Sequence, residues 1–127
     1  MNRIARVFIV DFDPPSRMAV GALAARLGYP STEFSDIDQV FAAIEEDPRG
    51  CVVLELVSPH AQGIEVLRQI TTTTGLPVIV GSFHPTVAMA VEAMQNGAMT
   101  VIEKPYPIGQ LGLWLRQAMA VAPQVVS

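Results

Sequence analysis

Apolar positions follow two periods in turn along this chain. Short apolar runs closed by turn signals alternate with longer stretches whose apolar residues repeat every three to four positions. The first run, Arg6-Val7-Phe8-Ile9-Val10, is β-branched and aromatic and reads as a strand. Asp13-Pro14-Pro15 then signals a helix start, because the carboxylate accepts orphan amide protons and proline lacks one. That helix is expected from about Pro14 to Leu27, with Gly28 as its left-handed stop. Ser31-Thr32-Glu33-Phe34 is a short second strand, and Ser35-Asp36 caps a helix with Ile37, Val40, Phe41 and Ile44 on one face. After the turn Asp47-Pro48-Arg49-Gly50 comes the run Val52-Val53-Leu54-Glu55-Leu56-Val57. The loop Ser58 to Gly63 leads to a third helix carrying Ile64, Leu67 and Ile70. The β-branched run Thr71 to Thr74 is expected to fray it before Gly75. A fourth strand, Pro77 to Ser82, precedes a helix from about Thr86 to Gln95 that Asn96-Gly97 stops. Met99 to Glu103 is the fifth strand, Lys104-Pro105 follows, and a last helix begins near Pro107 and ends before Pro123. Strands alternating with helices across short loops predict an α/β fold. It is a doubly wound five-stranded parallel sheet in a three-layer sandwich, with right-handed crossovers.

Length and composition narrow this picture. The 127 residues make one domain, with a core over about 5–120 and a frayed tail at 123–127. Half the residues are hydrophobic, yet no run approaches the roughly 20 needed to cross a bilayer. The apolar stretch after Met1 is short and carries Asp11, which makes a poor signal peptide. A single cysteine, Cys51, excludes an internal disulfide and fits a reducing cytoplasm. A net charge of −4 argues against non-specific nucleic-acid binding.

Chemistry enters at the strand ends. The third run has one awkward residue, since a buried strand has no need of Glu55. Parallel strands present their carboxyl ends at one edge, where ligands of such sheets bind. Asp11, Glu55, Ser82 and Lys104 all fall there. Each alone has a structural reading, as loop residue, cap or surface lysine. Together, an acidic pair with a lysine and a hydroxyl suits phosphoryl chemistry at a carboxylate. Asp13 reads as a helix cap. His60 and His84 lie in loops without the clustered partners of a zinc site, and Cys51 reads as a small buried residue.

At this point the chain resembles the receiver domains of two-component response regulators. The resemblance covers about residues 5–120. Its most specific pieces are Val7-Phe8-Ile9-Val10-Asp11, the Pro59-x-x-x-Gly63 loop, Ala90-Val91-Glu92-Ala93-Met94-x-x-Gly97-Ala98 and Glu103-Lys104-Pro105. The last two are similar to the nitrogen-fixation regulator branch. The resemblance implies a flavodoxin-like (βα)5 fold with sheet order 2-1-3-4-5, a cis peptide at Lys104-Pro105, and Mg²⁺ as the family's cofactor. It places Asp11 at an acidic pocket position, Ser82 at the switch hydroxyl and Lys104 at the phosphoryl-binding lysine. Three residues depart from the pattern. Glu55 stands at the phosphoacceptor aspartate, Phe12 at a metal-binding acid, and Val101 at the aromatic switch.

The departures imply a degenerate phosphorylation site. Glutamate is one methylene longer, which is expected to push its carboxylate toward Lys104 and Ser82. A displacement of about 1 Å can cost on the order of 10²-fold in rate. Phe12 supplies no oxygen to a metal that demands octahedral oxygen geometry, so no cofactor is expected and Asp11 and Glu55 are the only candidate metal ligands. Glu55 is then either a mimic of the phosphorylated aspartate or half of a structural ion pair with Lys104.

The expected role is a cytoplasmic signalling module working through protein contacts and not an enzyme, with a still phosphorylatable receiver as the alternative. The expected partner is a sensor histidine kinase or other signalling protein. A homodimer through the fourth helix, fifth strand and last helix is a further expectation, with Met89, Leu113 and Trp114 on that surface. No direct nucleic-acid or membrane contact is expected. A phosphatase of the haloacid-dehalogenase type would use Asp11 and Asp13, but no acidic pair follows Lys104. A flavin site would need phosphate-cradling amides where Asp11-Phe12-Asp13-Pro14-Pro15 offers acids and prolines.

Overall fold

The computed structural model describes residues 4–46, 49–57 and 59–120. Asp47 and Pro48 of the expected turn, Ser58 of the expected loop, and the tail 123–127 lie outside them. The strands are β1 (Arg6–Val10), β2 (Ser31–Phe34), β3 (Gly50–Glu55), β4 (Val78–Ser82) and β5 (Ala98–Glu103). The helices are α1 (Pro14–Arg26), α2 (Ile37–Glu46), α3 (Ala61–Thr74), α4 (Val87–Gln95) and α5 (Ile108–Ala120). All strand pairs are parallel and the sheet order is β2-β1-β3-β4-β5, as the resemblance implied.

Strict alternation along the central strands builds two cores. Phe8, Val10, Val52, Leu54, Val78 and Val80 face one way and meet Val40, Ile44, Ile64, Leu67, Ile70 and Ala93. Val7, Ile9, Cys51, Val53, Ile79 and Ile102 face the other and meet Val20, Leu23, Ala24, Leu111, Leu115 and Ala118. Burial of each large side chain contributes roughly 1.5–3 kcal/mol. Each face of the sheet therefore commits its covering helices without help from polar contacts.

Local signals set the boundaries. Asp13 caps α1, its Oδ2 accepting from the Ser16 amide at 3.1 Å and the Ser16 hydroxyl at 2.5 Å. Gly28 follows the helix at φ 85°. Thr86 caps α4 by accepting from the Met89 amide at 3.1 Å.

Three expectations are corrected. β3 ends at Glu55, not Val57, so the glutamate is the last residue of its strand. α3 starts at Ala61, inside the expected loop. The threonine run does not fray, and α3 continues to Thr74. The hydroxyls of Thr72, Thr73 and Thr74 donate back to the carbonyls of Arg68, Gln69 and Ile70, and Thr71 donates across to the Asn96 carbonyl at 3.0 Å. The Thr71 bond ties the last turn of α3 to the segment after α4, and the other hydroxyls find carbonyl partners within the helix.

Candidate functional site

The parallel register gathers the polar strand ends at one edge of the sheet. Glu55 pairs with Gly81 across β3 and β4, and Ser82 with Glu103 across β4 and β5. The ladder continues one step beyond the strands. The Leu56 amide donates to the Gly81 carbonyl at 2.9 Å, and the Lys104 amide to the Ser82 carbonyl at 2.7 Å. The Lys104–Pro105 peptide is cis. Asp11, Glu55, Ser82 and Lys104 are all buried, Asp11 completely.

The centre of the site is a triad. The Lys104 ammonium donates to both oxygens of Asp11, at 3.1 Å each, and to Glu55 Oε2 at 2.6 Å. Backbone amides complete the acids' shells. The Phe12 amide donates to Glu55 Oε1 and the Asp13 amide to Asp11 Oδ1, both at 2.9 Å. Arg17 donates to the Asp11 carbonyl at 2.8 Å, which anchors the loop to α1. The sequence pairs Lys104 with Glu55, and the structure gives it both acids. Of the expected approach of Glu55 to Lys104 and Ser82, the contact with Lys104 is made, at 2.6 Å. Among the described residues, the triad's hydrogen bonds run to amides and Lys104, not to the Ser82 hydroxyl. Ser82 instead opens onto a cleft of about 150 Å³ lined also by Leu56, His60, His84 and Thr86.

Two acids against one base leave the triad short of a positive charge. The two carboxyl groups respond in opposite directions. Burial pushes Asp11 up to about 6, against the pull of the Asp13 amide and Lys104. Burial pushes Glu55 up as well, but its bonds to Lys104, the Phe12 amide and Asp11 outweigh it and hold Glu55 below the usual carboxylate range. Glu55 is thus the ionised partner of Lys104, and Asp11 is the group that takes a proton first.

Phe12 is 57% exposed, and its amide donates to Glu55. Val101 is half-buried against the core on the α2–α3–α4 side of the sheet. Asp13, the other acid in this loop, is committed to Ser16. No group of three or more His, Cys, Asp or Glu side chains suited to a metal ion occurs among the described residues. His60 Nε2 lies 3.4 Å from Glu92 Oε2 on α4. Burial raises the Cys51 thiol to about 12, which leaves it chemically inert.

Two aromatic residues of the site were missed in the sequence. The Phe83 ring covers the Lys104 ammonium, 4.4 Å from centroid to Nζ. Tyr106 lies on a second side, with its ring centroid 6.0 Å from Nζ. Its hydroxyl is buried without a hydrogen-bond partner among the described residues. Burial first, then the charges of Asp11 and Glu55, push that phenol above its ordinary range. The hydroxyl occupies the space over Gly81, where an added Cβ would come within 1.9 Å of it. The signal was present in Gly81 and in Lys104-Pro105-Tyr106, but only the fold brings them together.

The expected partner surface divides. Met89 is corrected, being 3% exposed and part of the core between α4 and the sheet. Its amide also serves the Thr86 cap. Trp114 is half-buried, packed on the core beneath α5. Leu113 is exposed, as are Val87, Val91 and Met94 of α4 and Ile108 of α5.

Known proteins give a consistent comparison. A family model described as the response regulator receiver domain matches residues 7–115. The C4-dicarboxylate transport transcriptional regulatory protein DctD of Pseudomonas aeruginosa is 34% identical over 117 residues, covering 91% of this chain and 25% of that protein. The transcriptional regulatory protein FixJ of Bradyrhizobium diazoefficiens is 28% identical over 123 residues, covering 96% of this chain and 60% of that protein. The chain thus spans less than two thirds of either regulator. The crystal structure of the NtrX receiver domain from Brucella abortus superposes with a TM-score of 0.81 at 27% identity, covering 91% of this chain and 98% of that one. With its sheet order, the acid–lysine edge and the match over most of its length, the chain belongs to the family of response regulator receiver domains.

Proposed function

We propose that this receiver is an atypical module of a bacterial two-component or phosphorelay system. It works in the cytoplasm through protein contacts and not through phosphorylation of Glu55. The observation that carries this reading is the Lys104 ammonium between Asp11 and Glu55. The family's Mg²⁺ does not fit the residues at this edge. A cation already bridges the two acids, Phe12 brings no side-chain oxygen, and Asp13 is spent on a helix cap. Lys104 takes the metal's electrostatic part, and the ion pair serves the structure. Val101 supports the same reading, since a valine lacks the ring that a rotating aromatic switch requires. The phosphatase alternative loses support from the Asp13 cap, because its general acid is already engaged.

A second reading is favoured by the same short contact. A carboxylate held at 2.6 Å from Lys104 resembles a phosphoryl oxygen in charge and reach, so Glu55 would hold the domain in an active-like state. The two readings part at Glu55→Gln. A mimic loses its partner affinity with that change, and a structural pair loses only stability.

The partner surface is the face of α4, β5 and α5. Val87 is 82% exposed, and Val91, Met94, Ile108 and Leu113 add to an apolar patch of the kind that marks interaction sites. A sensor histidine kinase or another signalling protein, or a second copy of the chain, is the partner it fits. No described helix is long and apolar enough to cross a membrane. The net charge of −4 does not favour direct nucleic-acid contact. The test is incubation with acetyl phosphate, or with beryllofluoride and Mg²⁺, read by intact mass and by Mg²⁺ titration. An unmodified chain without Mg²⁺ affinity is expected. Stoichiometric phosphorylation would sink the proposal.

A further inference from the structure

We propose that the apolar pocket beside Glu55 binds a small organic ammonium ion, with its one-ring body against Phe12 and its charged head toward the Glu55 carboxylate. The pocket holds about 200 Å³. Apolar cavities of about 150 Å³ accept benzene, so a single ring with a short amine arm is the body that fits. The walls come from Val10 and Phe12 after β1, Ile37 at the start of α2, and Val57, Pro59 and Val66 around the start of α3. Phe12 and Val57 are 57% and 51% exposed, so an occupant covers apolar surface that water otherwise meets. Glu55 is the one charged side chain among the described lining residues.

Charge selects the head group. The triad that Glu55 belongs to holds two acids and one base. Arg17 is engaged with the Asp11 carbonyl and lies 3.7 Å from Glu33. Helix N-termini at this edge favour an anion, but Asp13 caps α1, and the Asp36 carboxylate accepts from the Asp38 amide at the start of α2. Asp36 and Asp38 are exposed on either side of Ile37 in the chain. Acids therefore outnumber bases around the pocket, and a cation is the complementary ligand. Glu55 has room for it. Oε1 accepts from the Phe12 amide and Oε2 from Lys104, while a carboxylate offers about four acceptor directions. Phe12 supplies the second recognition element. A ring face attracts an ammonium, and with a carboxylate above apolar walls it favours an organic cation over a hydrated metal ion. The residue that denies this edge a metal-binding oxygen thus gives it a surface for a different cation. Such a site needs only the pocket and its charge, and is independent of how the domain signals.

The probe is benzylamine, titrated into the isotope-labelled full chain at pH 7 and followed by amide chemical shifts. Saturable shifts are expected at Phe12, Glu55, Val57 and Gly63, with a Kd of about 1 mM or tighter. Benzyl alcohol has the same shape without the charge. It is expected to bind at least about tenfold more weakly, and benzoate is expected not to saturate. Phe12→Ala, a change at an exposed side chain, should weaken benzylamine at least about threefold. Glu55→Gln should bring benzylamine down to the affinity of benzyl alcohol, and Phe12→Ala carries the test if that variant does not fold. The site is overturned if benzylamine gives no saturable shift below about 10 mM, or if amine and alcohol bind equally. It is equally overturned if a folded variant of either residue binds benzylamine as the wild type does, or if the shifts are confined to α4 and α5. Phosphorylation of the wild-type chain by acetyl phosphate would instead strike the proposed function, and the benzylamine titration would still judge the pocket.

Discussion

Replacing Lys104 by Met is the sharpest perturbation of this molecule. Methionine keeps most of the apolar stem and removes the charge that Asp11 and Glu55 share. Both acids are buried, so the variant leaves two carboxyl groups facing each other without a cation. Removing one partner of a buried ion pair costs about 3–5 kcal/mol, because the remaining charge is stranded. That is a large share of the 5–15 kcal/mol typical of a domain. The assay is urea unfolding at pH 7, followed by circular dichroism, with the slope m checked for constancy. The penalty should shrink on acidification. Without the lysine both acids are raised in the folded state, so their stability is present at low pH and lost as pH rises. The triple change Asp11→Asn, Glu55→Gln, Lys104→Met should recover part of the loss, since it removes the stranded charges and leaves only the smaller cost of buried amide donors. A Lys104→Met variant within about 1 kcal/mol of wild type at pH 7, the cost of an exposed pair, would refute the reasoning.

Other expectations follow from the same geometry. Gly81→Ala places a Cβ 1.9 Å from the buried Tyr106 hydroxyl and 2.6 Å from the ring carbon that bears it, so thermal unfolding should show a loss of about 1–3 kcal/mol; Gly81→Ala combined with Tyr106→Ala should lose less than the sum of the two single changes, and full additivity counts against the clash. Asp11, raised from 3.8 to about 6, contributes stability that is full below pH 3.8 and lost as pH rises through about 6. Denaturation of wild type against Asp11→Asn should therefore show the wild type's relative stability falling from pH 4 to pH 7, and a rise is the contrary result. Glu55, held low, works in the opposite sense: Glu55→Gln should cost most at neutral pH and least in acid, as the same titration would show. Val91→Glu with Leu113→Glu, both on exposed apolar positions, should weaken any self-association seen by analytical ultracentrifugation without lowering the melting temperature.

The order of the elements and the edge at which polar residues collect can be read from the chain alone. Val7 to Val10 and Val52 to Leu54 read as buried strands from their apolar runs alone, which gathers the polar residues that close them at one edge, while the end of β3 itself moved from Val57 to Glu55. Asp13-Pro14-Pro15 and Thr86 announced their helices through local hydrogen bonds that need no distant partner. Tertiary structure decided whatever depends on a second segment. It turned the Thr71–Thr74 run from an expected fray into helix, through hydroxyl bonds back along α3 and a bond from Thr71 to Asn96. It sent Met89 into the core, because several apolar residues on α4 share too short a helix for periodicity to choose among them. It gave Lys104 two acids, because charge in a water-poor site gathers every carboxylate within reach. It laid Phe83, an isolated aromatic in a bend with no periodic neighbours, over that lysine, since only the folded strand ends bring residues 83 and 104 to one point.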